Sequence, residues 1–255
     1  MVVAGIDAGS RAVKAALMDG GGAVLGKDVT DQGVAQEALA LKLIEGLLGE
    51  QGLTRSDLSQ VVATGYGRNI VAFADRTVTE ITCHARGVRH VSPDARTIIE
   101  IGGQDSKVIK LDGQGTVQDF MMNDRCAAGT GRFLEVVADR LELGLESLGE
   151  LAERSTSPAA ISSTCVVFAE TEIIGLLAAG AEPEDIVAGV QNAIAKRLSA
   201  MAGRSIDEPV VFTGGVALVS GMRDAVAAVL DRPVHVVPEP QFTGAIGAAL
   251  LAAGL

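Results

Sequence analysis

The stretch IEIGGQDSKVIKLDGQGTV, residues 99–117, decides how the rest of the chain is read. It runs from an apolar segment through a double-glycine turn into a second apolar segment, then into an Asp-Gly-x-Gly-x-Val tract. Two β-rich runs around a glycine turn, followed by Asp-Gly, describe paired strands and a hairpin. Sliding the chain by 93 residues superposes Gly9, Lys14, Asp19, Gly20, Gly22 and Val24 on Gly102, Lys107, Asp112, Gly113, Gly115 and Val117. Two copies at so large an offset argue against a solenoid, which stacks several short units, and for two duplicated halves. Each half begins with a strand, a glycine turn and a hairpin, and the turn-forming Ser92-Pro93-Asp94 marks the boundary.

Outward from the repeat, short β-rich runs alternate with longer helical patterns, which means an α/β chain. Strands are expected at 2–6, 12–18, 60–64, 95–101, 107–111, 116–122, 209–213 and 234–237. Helices are expected at 34–50, 79–91, 130–142, 168–180, 184–203, 217–230 and 244–254. The expected organisation is an N-terminal lobe over 1–93, completed by the C-terminal helix 244–255, and a C-terminal lobe over 94–243.

Composition narrows the partners. The 255 residues carry 21 Lys and Arg against 32 Asp and Glu, a formal net charge of −11. Such a chain repels a phosphate backbone and offers no polybasic patch to an anionic membrane. Aromatic content of 3% with no Trp removes the stacking platforms of single-strand binders. The opening MVVAGIDAGS lacks a basic region followed by a long apolar one, and no run approaches a spanning helix, so a cytoplasmic location is expected.

The glycine turns carry the first chemistry. GIDAGSR (5–11) lies between two strands, where backbone amides and Ser10 can wrap an anionic oxygen. Asp7 then stands on the floor, where a carboxylate holds hydrated Mg2+. In the second copy, Gly102 and Gly103 permit close approach to another phosphate. Gln104 there can orient an attacking water, and Asp105 can hold the metal or that water. One glycine turn alone is more often a hairpin chosen for its backbone; two in duplicated halves reverse that balance. A third element, Thr213-Gly214-Gly215-Val216, joins a strand to a helix, and its small residues let a flat ring or sugar lie against the backbone. With TGAIGAALLAAG (243–254) as a closing helix, these pieces resemble the ATPase core of actin, sugar kinases and heat-shock chaperones. The resemblance implies a duplicated two-lobed fold of ribonuclease H-like halves with a nucleotide cleft between lobes. It also implies that the glycine hairpins hold the β- and γ-phosphates and the TGG turn holds the adenosine.

Three cysteines, far apart in sequence, do not make a disulfide framework. Cys126 sits in NDRCAAGTGRFLE (123–135) and Cys165 in AISSTCVVFAETEII (160–174), each just before a helical run. A zinc or cubane iron-sulfur site needs about four ligands, so one chain supplies half of one and a twofold pair supplies a whole. Two helix N-termini would then favour the electron-rich sulfur. The plain alternative is that both are small buried apolar residues. Cys83, in TEITCHARG (79–87), reads as packing, because Cys83 and His84 point apart on a helix. Glu170 and Glu172, at i and i+2, fall on different helix faces and read as capping or solvated groups rather than an acid–base pair. TGYGRN (64–69) joins a strand to a helix, with no role evident for Tyr66 or Arg68.

Taken together, NDRCAAGTGRFLE, AISSTCVVFAETE, IGGQDSKVI, TGYGRN and TEITCHARG closely resemble the activator ATPases of 2-hydroxyacyl-CoA dehydratases, of the BadF/BadG/BcrA/BcrD type. The ATP-binding subunits of benzoyl-CoA reductase share most of these motifs. The resemblance implies a homodimer, or a pair of related subunits, with one [4Fe-4S] cluster at its interface, ligated by Cys126 and Cys165 of each chain. It implies ATP and Mg2+ as further cofactors, with Asp7 and Asp105 at the metal and Gln104, Asp105 and Asp7 as the catalytic set. Nucleotide contacts fall on Gly9, Ser10, Arg11, Ala12, Val13, Lys14, Gly102, Gly103, Gln104, Gly129, Gly214, Gly215, Val216 and Gln241. The implied activity is an electron pump: ferredoxin or flavodoxin supplies one electron, and ATP hydrolysis sends it at lower potential to a CoA-thioester dehydratase or reductase. Arg11 departs from the family's small hydroxyl residue, and Glu100 from its aspartate. The rival readings are a small-molecule kinase of the same superfamily and a non-catalytic ATP sensor; no compelling acceptor pocket for a kinase is visible in the sequence.

Overall fold

The computed structural model describes residues 1–203 and 206–255. The chain divides into two compact units. The first comprises Met1–Ala95, Leu111–Gln118 and Val237–Leu255, and the second Arg96–Lys110 and Asp119–Val236.

The first unit is built on β1 (Val2–Ala8), β2 (Ala12–Asp19), β3 (Val24–Asp31), β4 (Leu58–Thr64) and β5 (Arg76–Thr77), in the order β3-β2-β1-β4-β5. β1 runs antiparallel to β2 and parallel to β4. From Val3 onward β1 is buried throughout, as suits a central strand covered on both faces. On one face α1 (Gln36–Glu50) packs Leu43, Ile44, Leu47 and Leu48 into the core with Ile6, Val13 and Leu17. On the other lie α2 (Glu80–Val91) and α8 (Thr243–Ala253). α8 is buried on nearly every side, and its small residues explain how. A Cβ added to Gly5 would fall 2.0 Å from Ala245 O, and one added to Gly247 would fall 1.8 Å from Cys83 O. The helix therefore lies with its backbone directly on β1 and α2, and larger side chains would hold it off.

The second unit repeats the plan with β6 (Thr97–Ile101), β7 (Ser106–Leu111), β8 (Val117–Asn123), β9 (Val210–Thr213) and β10 (Val234–Val236), ordered β10-β9-β6-β7-β8. Matching β1 to β6, β2 to β7 and so on makes the two strand orders identical, and β6 is likewise antiparallel to β7 and parallel to β9. The repeat extends to single hydrogen bonds. Gly9 N donates to Ala12 O at 3.1 Å and Gly102 N to Asp105 O at 2.9 Å. Asp19 Oδ1 accepts from the amides of Gly21 and Ala23, as Asp112 Oδ1 does from Gln114 and Thr116. The helices of this unit are α3 (Gly131–Leu141), α4 (Leu145–Ala152), α5 (Val166–Ala178), α6 (Pro183–Ala202) and α7 (Met222–Leu230). They enclose a core of Ile99, Ile101, Phe133, Val137, Ile173, Ile194 and Phe212, among others.

The expected duplicated α/β fold is what forms, and some elements differ in extent. β3, β5 and α4 were not expected from the sequence, and α7 begins at Met222 rather than at 217. There the chain first makes a 3-10 turn over Gly215–Leu218, and Gly221 then adopts φ +82°. Among the described residues, no helix is long and apolar enough to cross a membrane.

Two glycine substitutions separate close approach from helix propensity. Gly5→Ala forces a methyl into the α8 backbone and is expected to lower stability by about 3 kcal/mol in urea denaturation. Gly46→Ala, in α1 with nothing within 4 Å of the new Cβ, is expected to raise it by about 0.5–1 kcal/mol.

Candidate functional site

In the first unit, the hydrogen bond from Gly9 N to Ala12 O closes a tight turn with Ser10 and Arg11 at its apex. Val13 is fully buried in the core, so a ligand could meet only its backbone. Asp7 and Lys14 are register partners on β1 and β2, and Lys14 Nζ donates to Asp7 Oδ2 at 3.3 Å. TGYGRN forms the wall behind this turn. Gly65, at φ +86°, lies so close that a Cβ there would be 2.5 Å from Asp7 Oδ1. Gly67 N donates to Ala8 O at 2.8 Å, and Arg68 Nη1 donates to Gly65 O, which leaves Tyr66 exposed at the tip. His84 and Thr243 share a buried hydrogen bond of 3.0 Å between Nδ1 and Oγ1. Burial pushes the neighbouring Cys83 thiol up to about 12, so this cysteine is an inert core group. Gln241 belongs to a 3-10 turn just before α8, and its Oε1 is buried with no hydrogen-bond partner among the described residues.

The second unit holds the counterpart in tighter form. Lys107 is 1% exposed, and its Nζ donates to Glu100 Oε2 at 2.6 Å and to Asp105 Oδ2 at 2.8 Å. Glu100 and Lys107 are register partners, as Asp7 and Lys14 are. Glu100 also lies under both glycine turns: a Cβ on Gly214 would be 2.7 Å from its Oε1, and one on Gly102 would be 3.3 Å away. Gly214, at φ +90°, admits this approach where a side chain would not. Glu100 was absent from the residues expected to form the site, although the 93-residue offset places it on Asp7. Asp105 is held by Lys107 through Oδ2 and lies against Gly102 through Oδ1, whereas Gln104 is exposed.

From this turn a direct connection leads to Cys126. The backbone amides of Gly131 and Arg132, at the start of α3, donate to Gly102 O at 2.9 Å and Gly103 O at 2.8 Å. Helix N-termini leave such amides without helical partners, and here the glycine turn accepts them. A side chain on Gly131 would be a tight fit, since its Cβ would meet Gly102 O at 3.1 Å and Val216 Cγ2 at 3.2 Å. One short 3-10 turn earlier, Cys126 is exposed in extended backbone. Asn123 grips it twice, accepting from Cys126 N at 3.0 Å and donating to Cys126 O at 2.8 Å. Gly129, in that turn, faces Asn123 and the stem of Arg197.

Cys165 is the N-cap of α5 and is also exposed. The Cys126 thiol lies 3.8 Å from Thr164 O, so the two cysteine loops meet. Of the acidic pair, Glu170 binds Arg140 of α3. Glu172 accepts from Ser162 N, Ser162 Oγ and Ser163 N at 2.9, 2.7 and 2.9 Å. Burial opposes its ionisation, but these bonds from Ser162 and Ser163 outweigh burial and hold the carboxyl at about 2. Among the described residues, no group of three or more His, Cys, Asp or Glu could hold a metal ion within the chain. Two exposed thiols on adjoining loops are half the number that a four-thiolate site requires.

Comparison with known proteins shows the family and the fold. Residues 4–252 match the model of the BadF/BadG/BcrA/BcrD ATPase family. The chain is 44% identical to a 2-hydroxyisocaproyl-CoA dehydratase activator of Clostridioides difficile over 99% of its own length and 95% of that protein's. It is 46% identical to an activator of lactoyl-CoA dehydratase of Anaerotignum propionicum, covering 99% and 97% of the two chains. Among solved structures, the activator of the 2-hydroxyisocaproyl-CoA dehydratase from Clostridium difficile with bound ADPNP superposes with a TM-score of 0.95. It is 44% identical, with 100% of this chain and 95% of that one covered.

Lys107→Met strips the shared cation from two carboxylates and is expected to cost about 3–5 kcal/mol in denaturant titration. Lys14→Met, in a looser and more exposed pair, is expected to cost markedly less. For Glu172 the folded-state pKa is depressed, so its contribution to stability is present above the ordinary value of 4.5 and is lost as pH falls toward 2. Carboxyl NMR is expected to show it titrating near 2, and Ser162→Ala is expected to raise that value.

Proposed function

The chain belongs to the BadF/BadG/BcrA/BcrD ATPase family, and on that premise we propose that it is an ATP-dependent activator. In this reading it delivers single low-potential electrons to a CoA-thioester dehydratase or a related reductase. The observation that carries the reading is the meeting of the Cys126 and Cys165 loops on the segment hydrogen-bonded to the Gly102–Gly103 turn. A [4Fe-4S] cluster bound by these cysteines and those of a second copy would supply the one-electron chemistry.

The chain's own residues have separable tasks. Ser10 and Lys14 in one unit, and Gly103 and Gln104 in the other, are the proposed phosphate contacts. Asp7 and Asp105 are the proposed Mg2+ carboxylates, and the Gly214–Val216 turn with Gln241 is proposed for the adenosine. A nucleotide drawn against Gly103 shifts the carbonyls that hold the first turn of α3, and this moves Cys126 at the other side of that short segment. Val167 and Phe168, exposed by 67% and 69% beside Cys165, and Ile174 further along α5, form an apolar face suited to burial against a second copy. The donor is read as ferredoxin or flavodoxin, and the location as cytoplasmic.

Anaerobic purification is expected to give a coloured dimer with about four irons and four sulfides shared by two chains. Cys126→Ser is expected to abolish its EPR signal, whereas a colourless wild-type dimer that resists reconstitution would sink the reading. Gly131→Ala is expected to retain the cluster and ATP binding but to lower ATP-driven electron delivery by about tenfold or more. Delivery at the wild-type rate would remove the α3 start from the coupling route.

A further inference from the structure

The loop that carries Cys165 is held from both sides at a single residue. The amide of Ser163 donates to Glu172 of α5, and the Ser163 carbonyl accepts from Arg197 Nη2 of α6 at 3.2 Å. Glu172 also takes both donors of Ser162, so the carboxylate closes the loop back over the helix that Cys165 begins. Arg197 reaches the other cysteine loop as well. A Cβ placed on Gly129 would be 3.7 Å from both Cβ and Cδ of Arg197, and Gly129 closes the 3-10 turn that Cys126 opens. One arginine thus adjoins both cysteine segments, its stem beside Gly129 and its guanidinium on Ser163 O, and these segments lie on either side of α3 and α4 in the chain.

We infer that Glu172 and Arg197 are positioning residues, which set the Cys165 thiol against the Cys126 thiol within one chain before a second copy or any metal arrives. This rests on the proposed cluster-ligand role of the two cysteines and adds to it how the half-site is formed. An exposed loop left to itself samples many conformations, and fixing it in advance removes that ordering cost from the assembly step. Because the clamp holds backbone atoms of Ser163, it directs the loop without occupying the thiols.

The test uses the full-length, reduced, metal-free chain under anaerobic conditions, with dibromobimane as a bridging probe for two nearby thiols. The 126–165 product within one chain is read by mass spectrometry, and monobromobimane measures the reactivity of single thiols. Wild type is expected to form the intrachain bridge. Glu172→Gln and Arg197→Met are each expected to slow bridging by about tenfold while single-thiol labelling stays within about twofold. Arg197→Lys, which retains a cation and the stem, is expected to fold as wild type and bridge at an intermediate rate. Bridging at the wild-type rate in both Glu172→Gln and Arg197→Met would overturn the inference. So would an equal fall in bridging and single-thiol labelling, or bridges formed only between chains. The assay contains no iron, so it reads the clamp even where cluster reconstitution fails.

Discussion

The carbonyls of Gly102 and Gly103 accept the first two amides of α3, and much of the second unit is arranged around that fact. A helix start buried without acceptors is costly, so this helix is tied to a turn whose own backbone is shaped by glycine. The fit is close: Gly131 sits against Gly102 on one side and Val216 on the other. A displacement of the turn would therefore be passed on to the helix start. Close-packed interiors respond in that way because they have no voids in which to absorb small movements.

Duplication supplied the frame, and divergence supplied the difference between its halves. Both central hairpins pair a carboxylate with a lysine at the same register. In the first unit that pair is at 3.3 Å and partly solvated. In the second, Lys107 is sealed and serves two carboxylates, and one of them supports both the Gly102 turn and the Gly214 turn. A sealed ion group with tight partners fixes geometry more than it adds stability, since desolvation offsets much of its attraction. The turn with the sealed lysine is also the one joined to the Cys126 segment.

Much of this was legible from residue order because the repeat is written in glycines and aspartates whose backbone roles are local. The Asp19 and Asp112 hairpins and the helices with strong apolar periodicity needed no distant information. β3 escaped notice because it is a half-exposed edge strand rich in polar residues, and β5 because it has only two residues. TGYGRN and TEITCHARG gave no chemical reading because their work is steric: Gly65 backs Asp7, and Gly87 lies against Thr243 O. Arg197 was invisible for a different reason. Nothing in a helical arginine announces that its carbonyl partner lies 34 residues earlier in the chain.

The seating of α8 on Gly5 has a consequence for the order in which the protein acquires its structure during synthesis. Residues 243–253 are translated after the whole of the second unit, yet they cover one face of β1 and β2 at the opposite end of the chain. While the ribosome works through residues 96–236, Val3, Ala16, Met18 and Val62 lack part of their cover. The second unit can close around its own core first, while the first waits for its last helix. Nascent chains of this protein therefore spend most of their elongation with an apolar sheet face open to chaperones.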